Sequence, residues 1–121
     1  MDPFVMVEVT PEKKEYRTKV LNDAGKNPIW DDILEIPIAS LKDTNFKITC
    51  YDEDIMMNDF VGQHVFSAAD LLKNGMTPTW YDLEFENKQS AEIMLSCESI
   101  AEQSNNKTFY NQSLASHLFS K

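Results

Sequence analysis

The residues able to do chemistry concentrate in one stretch, Asp52-Glu53-Asp54-Ile55-Met56-Met57-Asn58-Asp59. Its four carboxylates in eight residues repel one another unless a cation sits between them. Asp52 and Asp54 stand two apart at the end of an alternating segment, so their side chains share a direction. Asp59 can return across the loop to face them. Clustered hard oxygens suit Ca²⁺, which takes about 6–8 oxygen ligands and tolerates irregular geometry. Between the acids stand Ile55, Met56 and Met57. A solvated turn gains little from them, whereas a loop that dips into a bilayer gains roughly 25 cal/mol for each Å² buried. The plainer alternatives are an acidic turn in water and a tip folded back on the core.

Other chemistries lack support. An EF-hand counted from Asp52 places Met56 and Met57 where Asp or Asn and Gly belong, and Gln63 where the closing Glu belongs. His64 and His117 are the only histidines, and no Cys/His spacing suits zinc. His64 falls in step with Gly62 and Phe66 and reads as a half-buried residue with a polar partner. Asp31 and Asp32 follow Trp30 with no pocket signal behind them. Gly25, Gly62 and Gly75 are scattered, so no phosphate loop is present. The chain is expected not to be an enzyme.

The elements that must position the loop are short runs with period-two alternation, the mark of an antiparallel all-β sandwich or barrel. Val5, Val7 and Val9 share one face; Tyr16, Thr18 and Val20 oppose charges; Leu34, Ile36 and Ile38 alternate before and after Pro37, which implies a free edge or bulge. Phe46, Ile48 and Cys50 line the strand that runs into the acidic loop, and residues 60–66 form the strand that leaves it. Residues 68–73 read as one helical turn stopped by Asn74-Gly75. Tyr81, Leu83 and Phe85, then Ile93, Leu95 and Cys97, complete seven expected strands. From Ser99 the composition turns to Ser, Asn and Gln, and residues 99–121 read as a polar tail. Leu114, Leu118 and Phe119 form an apolar stripe if that end is helical.

Composition narrows the partners. The 121 residues favour one domain, and 42% hydrophobic content is enough for a core. Eleven Lys plus Arg against 20 Asp plus Glu give a net charge of −9, which argues against nucleic acid and against unassisted binding to an anionic membrane. No segment approaches the roughly 18 apolar residues of a membrane-spanning helix. The start lacks a signal-peptide pattern. Cys50 and Cys97 read as reduced, buried thiols of a cytoplasmic protein. Asn106-Lys107-Thr108 and Asn111-Gln112-Ser113 match the glycosylation pattern by chance on this reading.

The order of several short motifs resembles a C2 domain, the calcium- and lipid-binding β-sandwich of synaptotagmins and protein kinase C. Met1-Asp2-Pro3-Phe4-Val5 resembles the family's Ser-Asp-Pro-Tyr/Phe-Val, and Thr18-Lys19-Val20 with Asn27-Pro28-Ile29-Trp30 its Thr-Lys-Val…Asn-Pro-x-Trp. Tyr51-Asp52-Glu53-Asp54 leading to Asn58-Asp59-Phe60-Val61-Gly62 resembles its Tyr-Asp-x-Asp…Asp-Asp-Phe-Ile-Gly. Trp80-Tyr81-Asp82-Leu83 and Glu92-Ile93-Met94-Leu95 resemble its closing strands. The resemblance covers residues 1–98 and implies an eight-stranded-type Greek-key sandwich in the second strand order of the family, with about seven strands present and the opening strand lacking. It implies that Asp2, Asp52, Asp54 and Asp59 are Ca²⁺ ligands and that Ile55, Met56 and Met57 insert into the membrane. Lys13, Lys14, Arg17 and Lys19 match the family's basic strand, which holds phosphoinositide head groups, although Glu12 and Glu15 interrupt it.

The sequence departs from the family in three ways. The first loop aspartate is absent, which weakens Ca²⁺ binding. Four residues separate Asp54 from Asp59 where five are usual. The slot of the opening strand must be filled by an unseen segment, the tail or a partner protein, because an open edge exposes backbone donors and acceptors. The expected function is a calcium-responsive module that docks peripherally on anionic phospholipid. The alternative is a metal-independent protein-interaction or scaffold domain held in a larger assembly by its open edge.

Overall fold

A computed structural model describes residues 1–24, 28–75, 77–102, 107–114 and 119–120, with side chains described through Glu98. The turn residues Gly25 and Asn27, and Asn106 and Leu118 of the C-terminal segment, lie outside the described residues. The chain is all-β with one short helix. Its strands are β1 (Pro3–Thr10), β2 (Lys14–Arg17), β3 (Asp32–Ile38), β4 (Asn45–Asp52), β5 (Asp59–Ser67), β6 (Thr79–Phe85), β7 (Lys88–Glu102), β8 (Lys107–Leu114) and β9 (Phe119–Ser120), with α1 (Ala68–Leu72) between β5 and β6. Hydrogen-bonded neighbours run β2-β1-β4-β5-β6-β7-β8-β3, every pairing antiparallel, with β9 against β7. β7 joins both layers of the sandwich: its first half pairs with β6, and from Ser96 onward it pairs with β8.

The seven expected strands all form, and alternation buries one side of most of them. Val5, Val7 and Val9 of β1, Leu34, Ile36 and Ile38 of β3, Phe46, Ile48 and Cys50 of β4, and Ile93, Leu95 and Cys97 of β7 belong to one buried cluster. Ala68 and Leu71 of α1 join it. Ser67 caps the helix, its hydroxyl accepting the Asp70 backbone N–H at 3.0 Å. Trp30 lies outside a strand and fully buried, and its indole N–H donates to the Pro3 carbonyl at 3.1 Å. Thr18 falls beyond β2; its hydroxyl accepts the Val5 N–H at 3.0 Å and its own N–H reaches the Val5 carbonyl at 2.9 Å. These hydrogen bonds tie Thr18 and Trp30 to the start of β1.

The C-terminal segment adds strands that its polar composition conceals. β8 fills the space between β3 and β7, pairing with β3 from Asp32↔Leu114 to Ile38↔Thr108 and with β7 from Ser96↔Ser113 to Glu102↔Lys107. The helical stripe considered for Leu114 does not form, since that residue ends an extended strand. β3 closes the order at its outer side, which accommodates Pro37 and its missing N–H.

Two irregularities shape the end of the sandwich that carries the acidic loop. Register shifts occur between Cys50 and Tyr51 in the β4–β5 ladder and between Leu83 and Glu84 in the β6–β7 ladder. A bulge inserts an extra residue and re-aims the side chains after it. Phe85, expected to follow Tyr81 and Leu83 inward, is 45% exposed at the end of β6. The β6–β7 turn is made by Glu86 and Asn87, both with positive φ (53° and 63°), the backbone of the tight turn that favours antiparallel hairpins.

Candidate functional site

The ladder brings the acidic residues to one end of the sandwich. Pro3 pairs with Asp52, and Asp52 pairs with Asp59, so Asp2, just before β1, and Asp52 and Asp59, on the next two strands, lie at the same end of the sandwich. Backbone hydrogen bonds lock this end. The Asp2 N–H donates to Asp52 Oδ1 at 2.8 Å, the Glu53 N–H to the Asp2 carbonyl at 2.9 Å, and the Asp23 N–H to Asp2 Oδ1 at 2.7 Å. Asp54 Oδ1 accepts the Ile55 N–H at 2.6 Å.

Hard carboxylate oxygens facing one end are the right donors for Ca²⁺ in kind. Their placement is a looser match. Among the described residues, no three His, Cys, Asp or Glu side chains gather closely enough to hold a metal ion. Asp2, Asp52 and Asp54 each already give one oxygen to a backbone N–H. A shared ion therefore requires these side chains to turn or to offer their second oxygens.

The loop tip is well defined. Ile55, Met56 and Met57 are 98%, 89% and 70% exposed, and none folds back on the core. They form a contiguous apolar projection beyond the carboxylates.

The basic residues diverge. Lys13, Lys14, Arg17 and Lys19 are all exposed, but Lys14 and Arg17 are three apart in β2 and so face opposite sides of the sheet. The Arg17 guanidinium lies 4.9 Å from the centre of the Phe4 ring, a cation–π contact. Glu15 shares the Arg17 face and stands opposite Glu8 in register.

His64 is more exposed than its position in the alternation implies, its side chain 43% accessible. Its Nδ1 lies 2.9 Å from each oxygen of Glu84. The two cysteines are buried, and burial pushes the Cys50 thiol well above its ordinary range, with Asp52 acting in the same direction. Asp70 titrates below the usual carboxylate range because of its hydrogen bond with Lys73, then that with Ser67.

Sequence reasoning missed the aromatic residues beside the loop. Phe4, Tyr51, Phe60 and Phe85 form a row across β1, β4, β5 and β6, with successive ring centres 5.4, 6.2 and 5.4 Å apart. The run of aromatic residues flanking the acidic loop was the available signal; the bulge that sets Phe60 opposite Tyr51 was not visible in it. No helix among the described residues is long and apolar enough to cross a membrane.

Comparison with known proteins fits this geometry. The model of the C2 domain family matches residues 1–83. Extended synaptotagmin-1 of Mus musculus is 30% identical over 83 residues, covering 69% of this chain and 7% of that protein. Multiple C2 and transmembrane domain-containing protein 2 of Mus musculus is 36% identical over 86 residues, covering 71% of this chain and 10% of that protein. Elicitor-responsive protein 1 of Oryza sativa subsp. japonica is 31% identical over 85 residues, covering 66% of this chain and 52% of that protein. The matches thus span a tenth or less of the two mouse proteins and about half of the rice one.

Proposed function

The chain belongs to the C2 domain family, and we propose that it is a phospholipid-binding module that docks peripherally on bilayers through the tip of its acidic loop. The single observation that carries this reading is the exposure of Ile55, Met56 and Met57 at 98%, 89% and 70%. Three adjacent apolar side chains held in water contribute nothing to the fold. Burial in a bilayer interface turns the same surface into a source of binding free energy. The role is one of binding, and no catalytic group is invoked.

Charge governs which surface the tip can approach. Asp52, Glu53, Asp54 and Asp59 surround the tip and repel anionic head groups. Asp2, Asp52, Asp54 and Asp59 would hold Ca²⁺, and the ion would supply positive charge that cancels this repulsion. One oxygen each of Asp2, Asp52 and Asp54 is already engaged by a backbone N–H, so these residues would hold the ion through their remaining oxygens or after giving up those bonds. The calcium response is accordingly weak, needing high calcium. Lys14 and Arg17, on opposite faces, do not form one head-group cradle, so the basic strand has no part in this reading.

Co-sedimentation with vesicles of choline and serine head groups, in millimolar Ca²⁺ and in chelator, tests the proposal. Sedimentation with serine-containing vesicles that is stronger in Ca²⁺ supports the calcium response. Equal sedimentation in both conditions refutes that response and leaves the tip reading standing. The rival reading, a metal-independent protein-interaction domain, draws on the carboxylates that do not converge. Absence of sedimentation with every vesicle in both conditions would establish the rival and end the membrane reading.

A further inference from the structure

Between β5 and the β6–β7 turn lies a shallow groove of about 600 Å³ lined by Phe60, His64, Val65, Glu84, Phe85 and Glu86 among others. β5 starts at Asp59, two residues after Met57, and Glu84 pairs antiparallel with Gln63. Phe60, Phe85 and the turn at Glu86 therefore stand at the same end of the sandwich as the acidic loop. Phe60 and Phe85 are 37% and 45% exposed, with ring centres 5.4 Å apart.

These two rings are the open end of the aromatic row. At its closed end the molecule places its own cation, the Arg17 guanidinium, against Phe4. At the open end the ring surface meets solvent, two carboxylates flank it, and the lining contains no lysine or arginine. Lys88 stands next to Phe85 in the hairpin register, exposed and outside the lining. Aromatic faces with negative charge beside them attract a cation, most strongly one whose own surface is apolar and weakly hydrated.

We propose that this groove receives the trimethylammonium of a choline phospholipid head group while the tip is inserted; the proposal rests on the tip reading above. Two observations favour choline over an arginine side chain of a protein partner. Both oxygens of Glu84 already lie 2.9 Å from His64 Nδ1, so a guanidinium fork would compete with His64 for the same pair of oxygens. A trimethylammonium forms no such hydrogen bonds and needs only ring faces and a nearby charge. The head group also has no net charge, and its cationic part faces the water, so the acidic loop does not repel it.

The test uses the full chain in chelator, with vesicles of choline lipid, and separately with tetramethylammonium chloride as a soluble probe. Tetramethylammonium shifts the NMR signals of Phe60, Phe85 and Glu84 and competes with choline vesicles. Phe85→Ala lowers affinity for those vesicles about threefold to thirtyfold, and Phe85→Trp restores it. Because Phe85 is exposed, the melting midpoint of each variant serves as the folding control. Met56→Ser provides the separating arm, since it weakens binding to every vesicle. If Met56→Ser weakens binding while Phe85→Ala does not, the groove inference is overturned and the tip reading survives. If the wild type binds no vesicle, the tip reading has failed first. Shifts produced by guanidinium chloride but not by tetramethylammonium overturn the choline assignment in favour of an arginine-bearing protein.

Discussion

Met56→Ser isolates the free energy that the tip contributes to docking. Met56 is 89% exposed, so nearly all of its side chain is available to be transferred from water to a bilayer. Full burial of a methionine-sized apolar side chain is worth about 1.5–3 kcal/mol. Each 1.4 kcal/mol is about tenfold in affinity, so the loss is roughly 10–100-fold in vesicle partitioning. An exposed substitution away from capping or packing contacts changes stability by no more than about 0.5 kcal/mol. The assay is vesicle co-sedimentation across a lipid titration, with thermal melting in parallel. A change of less than about twofold in partitioning, with melting unchanged, would show that Met56 stays in water and refute the reasoning.

Other perturbations probe the scaffold. Among the described residues β3 joins the hydrogen-bonded order only through β8, so a chain ending at Glu98 loses cooperative melting and becomes protease-sensitive in residues 32–38; an unchanged melt would show that the second layer closes without β8. Gly62→Ala places a methyl group 2.4 Å from Ser90 Oγ and 3.1 Å from Leu83 Cβ, which costs about 1–3 kcal/mol in overpacking, and Ser90→Ala in the same chain recovers part of the lost melting midpoint. The Cys50 thiol is raised above its ordinary pKa of 9.0, so its contribution to stability is complete below pH 9 and is lost as pH climbs above it while the unfolded thiol ionises. Denaturant midpoints measured from pH 7 to 10.5 should fall at the alkaline end in the wild type and fall less in Cys50→Ala.

Much of the fold was legible because its core strands obey a period of two. Val5, Val7 and Val9, or Ile93, Leu95 and Cys97, announce a buried face by spacing alone. The acidic loop and its apolar tip were legible too, since both are local runs whose meaning needs no partner strand. Three features were not. The exposure of Phe85 comes with its place at the end of β6, beside the turn at Glu86 and Asn87, which alternation alone does not show. The polar sequence of β8 lacks alternation, and its place is set by backbone ladders to β3 and β7. The carboxylates of Asp2, Asp52 and Asp54 looked free for a cation, whereas the backbone N–H groups of Asp23, Asp2 and Ile55 already engage them. Residue type revealed the donors, and only the fold revealed their commitments.

The depth of residue 56 in a bilayer tests the membrane account most directly. Cys50 and Cys97 are 0% and 1% exposed, so a fluorophore attaches selectively to a cysteine introduced as Met56→Cys. A matching label at Lys42→Cys, an exposed site at the opposite end of the sandwich, is the reference. On vesicles whose lipids carry bromine in the acyl chains, the label at 56 should be quenched and the label at 42 should keep its emission. Equal emission from both labels on vesicles that the protein demonstrably binds would contradict insertion of the tip.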